Sequence, residues 1–482
     1  MGLKGYKTAP KLPALTLVFF FKNSYNGGSL FFGGAMMART KDMTVGNPTK
    51  LILMFSLPII AGSLLQQFYS LVDSLIVGRQ EGVAALSAIN ASGWLDWGVS
   101  SLAIGLAQGF AIQISQRFGA EDGEGLRHAT GQSVLLSAGV IVLLEGAAQA
   151  ALPLMLRLLQ TPAETFDMTL IYLRVIFGGL ALVMTGNLAG AFLRAVGDSR
   201  TPMIAITVST LLNIGLDALF VMGFRWSVVG AAAATVTAQG LNAVICLTAA
   251  ARLPVFRLRQ EHLRPQPAVW KRLLRLGMPV SMGYVIISVG GLVLQRVVNG
   301  YGFLFMAGFN AASRFQGMME IAGSSLGVGV ATFAGQNFGA GKHERVREGV
   351  RRSALVAVGL ALAVMTVMLL VGKGLLSLFI HDDPEVAAQV LTYGWHFLTI
   401  MSLGMTPLYL LFVFRSALQG IGDTLIPMLS GGVELIMRVG TVLLLPRLLG
   451  EWGVYLAEVL AWLGAMLLLV AGYGYRMRTQ LS

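Results

Sequence analysis

The sequence predicts an all-α polytopic membrane protein with twelve transmembrane helices in two pseudo-symmetric six-helix lobes. Two observations predict it: twelve long apolar runs separated by short polar segments, and short motifs that recur after about 220 residues. Only 12% of the 482 residues are charged and the mean hydropathy is +0.72. A soluble domain carries about 25% charged residues, so the composition excludes a soluble globular fold.

The apolar runs give the positions of the helices. Each run is close to the ~20 residues that a helix needs to cross a bilayer, and the charges, prolines and glycines collect between the runs. The predicted spans are 52–77, 86–115, 130–155, 168–193, 202–224, 228–250, 272–298, 305–335, 353–380, 387–415, 425–446 and 452–474.

Three pairs of motifs reveal an internal repeat. They are "QRFGAEDGEGLRHA" at 116–129 with "QNFGAGKHERVREG" at 336–349, "GDSRTPM" at 197–203 with "GDTLIPM" at 422–428, and "FSLPIIAGSL" at 55–64 with "LGMPVSMGYV" at 276–285. Because each lobe has an even number of spans, the repeats run parallel and are related by an axis along the membrane normal. Transporters of this kind bind substrate between their lobes, so the repeat predicts transport.

The repeat also divides the chain. We predict an N-lobe at 47–250, a basic linker at 251–271, a C-lobe at 272–476 and a short tail at 477–482. Residues 1–46 are predicted to be an N-terminal extension without a signal-peptide cleavage site. Translation is expected to start near one of the methionines that precede the first span, Met36, Met37 or Met43. The alternative is a disordered or surface-lying extension.

The net charge of +12 orients the chain in its membrane. If the spans alternate, 22 basic residues from Arg39 onward lie in the loops and termini on one side and five on the other. This is the positive-inside pattern, which places both termini and the linker in the cytoplasm. The expected location is the cell (inner) membrane. No nucleic-acid-binding motif accompanies the charge, so we expect no nucleic-acid partner.

The cysteine and histidine residues show no disulfide or metal-binding pattern in the sequence. The single cysteine, Cys246, excludes an internal disulfide. The five histidines are scattered over different loops without metal-ligand spacing, so we expect neither a metal site nor a cofactor.

An amide and a carboxylate stand out within the apolar spans. Asn213 and Asp217 are four residues apart and share one face of a helix, although an intramembrane charge costs at least about 2.5 kcal/mol. Asp73 in the first span is a second buried carboxylate, and Thr235 offers a hydroxyl in the sixth. At least one of the two acids is expected to bind and release a proton near neutral pH. The alternative is that each acid is a hydrogen-bonded structural group or pairs with an arginine that is shielded from lipid.

Several motifs together resemble one transporter family. "NPTKLILMFSLPIIAGSLLQQFYSLVDSLIVGR", the repeated Q-x-F-G-A and G-D-x-x-x-P elements and "NIGLDALF" are similar to the multidrug and toxic compound extrusion (MATE) family, most closely its DinF-like branch. The likeness runs from about residue 47 to the C-terminus. It implies a V-shaped pair of lobes, working as a monomer by alternating access, that exports mostly cationic or amphipathic compounds in exchange for protons or sodium ions. The driving force is then an ion gradient.

The resemblance assigns roles to individual residues. In DinF-like members, the residues that match Asp73, Asn213, Asp217 and Thr235 form the cation or proton site of the N-lobe. The repeat supports this independently, because the C-lobe counterparts of the first three positions carry no carboxylate. These counterparts are Leu294, Arg438 and Val442.

Other polar positions are secondary candidates. By resemblance, Gln66, Tyr69 and, more weakly, Asn187 face the substrate cavity. Pro58 removes a backbone hydrogen bond from its helix, and by resemblance it bends the helix that carries Asp73; an ordinary packing kink is the alternative. Glu320 is a candidate for a second site in the C-lobe. Glu434 and Arg438 are four residues apart on the eleventh span, a spacing that favours a structural ion pair.

Two other functions fit parts of the sequence. "GSSLG" at 323–327 matches the G-x-S-x-G nucleophile pattern of an intramembrane enzyme, but that pattern needs a strand-to-helix turn with histidine and acid partners. A lipid-linked oligosaccharide flippase shares the two-lobe architecture. It would need a strongly cationic cavity for pyrophosphate, whereas the distinctive N-lobe charges here are acidic.

Overall fold

The computed structural model describes residues 40–158, 161, 163–378, 380 and 383–481, without the side chains of 69–92, 94, 164, 480 and 481. Every regular element in these ranges is helical. The α-helices are α1 (Pro48–Gly119), α2 (Gly123–Leu158), α3 (Ala163–Gly178), α4 (Leu180–Ala195), α5 (Arg200–Asp217), α6 (Ser227–Arg252), α7 (Pro267–Gly300), α8 (Phe303–Gly339), α9 (His343–Ser377), α10 (Pro384–Leu403), α11 (Met405–Gly420), α12 (Leu425–Leu444), α13 (Pro446–Leu449) and α14 (Glu451–Leu481).

The described helices confirm the all-α polytopic fold class. Eleven of the twelve predicted spans coincide with a helix, or a bent pair of helices, that is long and apolar enough to cross a membrane. The remaining prediction, 305–335, falls on α8, which is outside those eleven. Helix α8 has 37 residues and so is about 55 Å long, but its glycines, serines, amides and charged side chains lower its hydropathy.

Helix α1 contains two of the membrane-length stretches, Pro48–Phe68 and Leu95–Gly119. Residues at its two ends meet the same C-lobe side of the molecule. Just before its start, the backbone N–H of Met43 donates to Oε1 of Gln336 at 2.8 Å, and at its end Gly119 packs against the carbonyl of Gln336. The two stretches therefore run antiparallel.

Two bent spans occupy equivalent places in the lobes. Helices α3 and α4 meet at 44°, and α10 and α11 meet at 48°. The bends lie at Gly179 and Gly404, which the repeat pairs. A Cβ on either glycine would meet a valine of the same lobe, Val236 for the first and Val459 for the second. The lobes thus repeat in their helix packing as well as in their motifs.

The G-D-x-x-x-P elements form matching helix starts. Gly197 and Gly422 adopt φ of +91° and +90°, a conformation that L side chains rarely adopt. The next residue, Asp198 or Asp423, accepts hydrogen bonds from backbone N–H groups in the first turn of α5 or α12. These N–H groups have no partner within the helix, so the aspartates stabilise both starts.

The lobes meet through their backbones at the Q-x-F-G-A end. A Cβ on Gly119 would overlap the carbonyl oxygen of Gln336, and a Cβ on Gly339 would overlap that of Gln116. Nearby, Gly109 lies against the backbone of Gly277. Only glycine permits such close approach, so these positions bring helices of opposite lobes together.

The linker packs on the N-lobe through His262, whose side chain is fully buried. The sequence separates His262 from His128 and Glu124, but the structure groups the three, with all three ligand atoms within 4.8 Å of one another. Spacing along the sequence did not indicate this grouping. Arg259 donates its backbone N–H to Nδ1 of His262 at 2.8 Å, so the ring proton lies on Nε2, which contacts Glu124 at 3.0 Å. His262 thus holds Glu124 by a hydrogen bond and His128 by an edge-on ring contact with the centroids 4.7 Å apart, and the absence of a metal site stays a prediction.

Residues at the end of the predicted N-terminal extension are part of the packed structure. Met43 is fully buried in the C-lobe core, and its carbonyl accepts from Nδ2 of Asn337 at 3.1 Å. Lys41 donates its backbone N–H to the carbonyl of Val196 in the N-lobe at 2.9 Å. This segment consequently contacts both lobes.

Candidate functional site

The predicted coupling pair lies in the interior of the N-lobe. Asp217 is fully buried and Asn213 is 3% exposed. Nδ2 of Asn213 donates to Oδ2 of Asp217 at 3.2 Å, as their i, i+4 spacing on α5 predicts. Helix α5 ends at Asp217 and continues as a π-helical turn, Ala218–Gly223. Such turns occur frequently at functional sites, and this one changes the helix geometry next to the carboxylate.

The other members of the predicted coupling site are only partly described. Thr235 is half-buried on α6, a helix that packs against α5. The side chains of Asp73 and Tyr69 lie outside the described residues. Whether the four groups form one site therefore stays a prediction.

Gln66 and Asn187 are not among the described lining residues of the central cavity, and their substrate contact stays a prediction. Gln66 is exposed near the end of the first stretch of α1. Asn187 donates from Nδ2 to the carbonyl of Val183 on its own helix at 2.9 Å. Pro58 lies inside α1 as predicted, and Ile59 and Ser63, which share one face of that helix, line the cavity.

The central cavity has a volume of about 550 Å³ and receives side chains from both lobes. On the N-lobe side, Trp97 and Gln108 contribute a ring and an amide. Tyr284 of α7 meets both: its hydroxyl donates to Oε1 of Gln108 at 2.8 Å, and its ring lies edge-on to Trp97 with the centroids 6.5 Å apart. Aromatic and apolar walls with a few polar groups are typical of small-molecule sites.

The C-lobe wall of the cavity carries a chain of ion pairs, which we call the charge chain: Arg415, Glu434, Arg438 and Glu458. Arg415 on α11 donates to Glu434 on α12 at 3.0 Å. Arg438 donates to Glu434 at 2.9 Å and to Glu458 on α14 at 2.7 Å. The predicted Glu434–Arg438 pair is confirmed, and Glu458 gains a partner that the sequence did not indicate. The two guanidiniums thus each bind carboxylates within the wall.

Glu320 differs from the carboxylates of the charge chain. It lies on α8, lines the same cavity and, among the described residues, accepts one hydrogen bond, from Nε2 of Gln316 at 2.9 Å. The cavity therefore has three carboxylates and two guanidiniums among its described lining residues, and Glu320 is the carboxylate without an arginine among its described partners. A cationic ligand would find its charge complement there.

Some cavity residues carry no local signal in the sequence. Arg415 is counted as a loop residue in the charge bias. Its side chain in fact lies on α11 in the cavity wall. The bias remains without it. Trp97 and Tyr284 sit in ordinary apolar runs. The spacing of Arg415 and Glu434, 19 residues apart on separate helices, gives no local pattern.

The "GSSLG" match has a packing role. It lies in the middle of α8, where Gly323 faces the ring of Tyr409 and Gly327 faces Ser416 of α11. The hydroxyl of Tyr409 donates to the carbonyl of Met319 at 2.6 Å. Small residues here permit close packing of α8 and α11, and the strand-to-helix turn of a nucleophile is absent from this described helix.

Comparison with known sequences assigns the family. The sequence profile of the MatE family matches residues 58–219 and again 279–442. The chain belongs to the MatE family. The two matches begin at Pro58 and Pro279, the prolines that the internal repeat pairs. MatE family members are transporters and not enzymes, which confirms the transporter prediction and excludes the enzyme alternative.

Named relatives and a solved structure support the same family. The chain is 30% identical to "Probable multidrug resistance protein YpnP" of Bacillus subtilis over 72% of this chain and 78% of that protein. It is 26% identical to "Multidrug export protein MepA" of Staphylococcus aureus over 90% of this chain and 95% of that protein. A crystal structure described as MATE in complex with MaL6 matches with a TM-score of 0.86 and 23% identity, over 92% of this chain and 99% of that chain. That structure shares the fold.

Proposed function

We propose that this MatE family member is a secondary active multidrug efflux transporter that exchanges cationic or amphipathic small molecules for protons or sodium ions. Support comes from the names of YpnP and MepA, which describe multidrug resistance and export. A two-lobe fold with a cavity between the lobes suits alternating access.

The surplus carboxylate of the cavity is the observation that carries the cationic preference. Arg415 and Arg438 are bound to carboxylates of the charge chain, so they offer little charge to an anionic ligand. Glu320 has an amide as its described partner, and the aromatic ring of Trp97 lines the same space. A cation is attracted both to a carboxylate and to the face of an aromatic ring.

The proposal places the coupling ion in the N-lobe. Asp217 supplies a buried carboxylate, and Asn213 donates from its amide Nδ2 to Oδ2 of that carboxylate at 3.2 Å. Oxygen ligands of this kind serve either a proton or a sodium ion, so both ions remain in the proposal. Coupling follows if the ion binds one conformation of the lobes more tightly than the other.

Efflux measurements on proteoliposomes test the exchange, with the pH and sodium gradients imposed separately. We expect a permanently charged organic cation to be exported under one of these gradients. Glu320→Gln should weaken binding of that cation by about fivefold or more, the loss of roughly 1 kcal/mol of charge interaction, while Glu348→Gln on the exposed surface leaves it unchanged. Export without either gradient would contradict the proposal.

The flippase alternative makes a different prediction about ligands. Both guanidiniums in the described cavity lining bind carboxylates, which disfavours a pyrophosphate. Protection of the purified protein against thermal unfolding by cationic dyes supports the efflux proposal. Protection by polyprenyl pyrophosphates alone would favour the flippase.

The proposed location is the cell membrane with both termini and the linker in the cytoplasm, because of the charge bias. In a Cys246→Ser background, a cysteine placed at Gln260 should resist an impermeant thiol reagent added to intact cells. A cysteine placed at Asp383 should react, since both positions are exposed and lie on opposite sides in the proposed topology. Reversed labelling would overturn the orientation and the direction of export.

A further inference from the structure

The two Q-x-F-G-A motifs are not explained by the cavity or by the coupling site. Their glutamines, Gln116 on α1 and Gln336 on α8, lie where the lobes meet. Gln336 is fully buried and Gln116 is 9% exposed. Buried amides are retained where they have specific partners, so the partners of these two side chains indicate their role.

Each glutamine donates a hydrogen bond to the opposite lobe. Nε2 of Gln116 donates to the carbonyl oxygen of Gly420 at 3.0 Å, and Nε2 of Gln336 donates to that of Ala195 at 2.9 Å. Ala195 and Gly420 are the last residues of α4 and α11. Carbonyls in the last turn of a helix have no partner within it, so each amide satisfies the end of a helix that belongs to the other lobe.

The two contacts are equivalent under the internal repeat. Gln116 pairs with Gln336 at an offset of 220 residues, and Ala195 pairs with Gly420 at an offset of 225. Repeated side-chain and backbone positions thus produce the same bond twice, once in each direction across the boundary.

The Gln336 contact has an additional partner. Its Oε1 accepts the backbone N–H of Met43 at 2.8 Å, so this side chain joins the Met43 segment and both lobes. The contact made by Gln336 therefore involves more groups than the contact made by Gln116.

We propose that Gln116 and Gln336 form a two-part latch that holds the lobes together at this end, and that both amide bonds break when the cavity opens to this side. The acceptor carbonyls lie on the opposite lobe from their donors, so rocking of one lobe against the other separates all four groups. A net hydrogen bond shifts such an equilibrium by about 2- to 10-fold. The latch residues are positioning residues, since neither lines the cavity.

The test measures access to the cavity from the latch side. A reporter cysteine replaces Ser63, which lines the cavity, in a Cys246→Ser background, and an impermeant thiol reagent is added to everted vesicles or intact cells, whichever exposes the latch side. Gln116→Ala should raise the labelling rate about 2- to 10-fold, Gln336→Ala at least as much, and the double variant more than either. Gln149→Ala is the matched control, because it removes an amide-to-carbonyl bond of 2.8 Å, to Arg174, within the N-lobe.

The outcomes separate a latch from a folding role. Unchanged labelling in Gln116→Ala and in the double variant, with thermal stability reduced, would overturn the proposal, as would an equal rise in Gln149→Ala. If Gln336→Ala does not fold, Gln116→Ala alone decides. The assay uses no substrate and no ion gradient, so it does not depend on the proposed coupling.

Discussion

Asp217→Asn is expected to fold and to bind substrate but to lose gradient-driven efflux. Asparagine keeps the size of the side chain and can still accept from Asn213 as Asp217 does now at 3.2 Å, but it does not titrate. A driving ion moves the cycle only through its different affinity for two conformations. Typical coupling free energies of about 1–3 kcal/mol correspond to a roughly 5- to 150-fold change in an equilibrium. We expect the rate of gradient-driven efflux to decrease by a factor in that range. The measurement is dye efflux in everted vesicles, with substrate binding in parallel.

The internal repeat supplies the control for this prediction. Val442 is the C-lobe counterpart of Asp217 and is 2% exposed. Val442→Asn buries a similar amide in the other lobe, so it costs stability but should disturb coupling far less. Asp73→Asn should behave like Asp217→Asn. Wild-type pumping by Asp217→Asn together with an inactive Glu320→Gln would move the coupling site to the C-lobe.

Arg438→Met is expected to destabilise the protein by about 3–5 kcal/mol, because removing one partner leaves buried charges uncompensated. The side chain of Arg438 is 4% exposed and binds Glu434 and Glu458. Glu434 would retain Arg415 at 3.0 Å, whereas Glu458 would lose its described arginine. The free energy of unfolding in detergent, or the shift of thermal unfolding, measures the loss.

A double variant and a surface variant are the controls for this result. Combining Arg438→Met with Glu458→Met replaces this ion pair by apolar side chains of similar size and leaves Glu434 bound to Arg415, and such replacements are often neutral or stabilising. It should recover most of the lost stability. Arg352→Met breaks an exposed pair with Glu348, which contributes about 0–1 kcal/mol. If Arg438→Met costs no more than Arg352→Met, the charge chain does not stabilise the C-lobe.

Periodic and repeated features are predictable from the sequence. Apolar runs are near bilayer length because the membrane requires it, and the repeat offsets pair Pro58 with Pro279 from the order of residues alone. The Asn213–Asp217 bond is predictable because helix geometry places i and i+4 side chains on one face. The same rule predicts the pair Glu434–Arg438.

Contacts between distant helices are not predictable in this way. Arg415 resembles a loop arginine because it precedes a turn, and only the packing of α11 and α12 brings it to Glu434. His262 and Glu124 are 138 residues apart and meet because the linker folds back on α2. No local periodicity encodes such encounters, since they depend on how whole helices pack.

The charge chain has a mechanical consequence for ligand recognition. It ties α11 to α12 and α12 to α14 at buried positions, where separating opposite charges is most costly. Thermal motion that shears these three helices past one another is therefore resisted, and their side of the cavity keeps a nearly constant shape. Compounds of different shape would then be accommodated by movement of the facing wall, around Ser63 and Trp97. The range of compounds that bind would depend on that movable wall, and the wall with the charge chain would fix the position of a ligand's charged group.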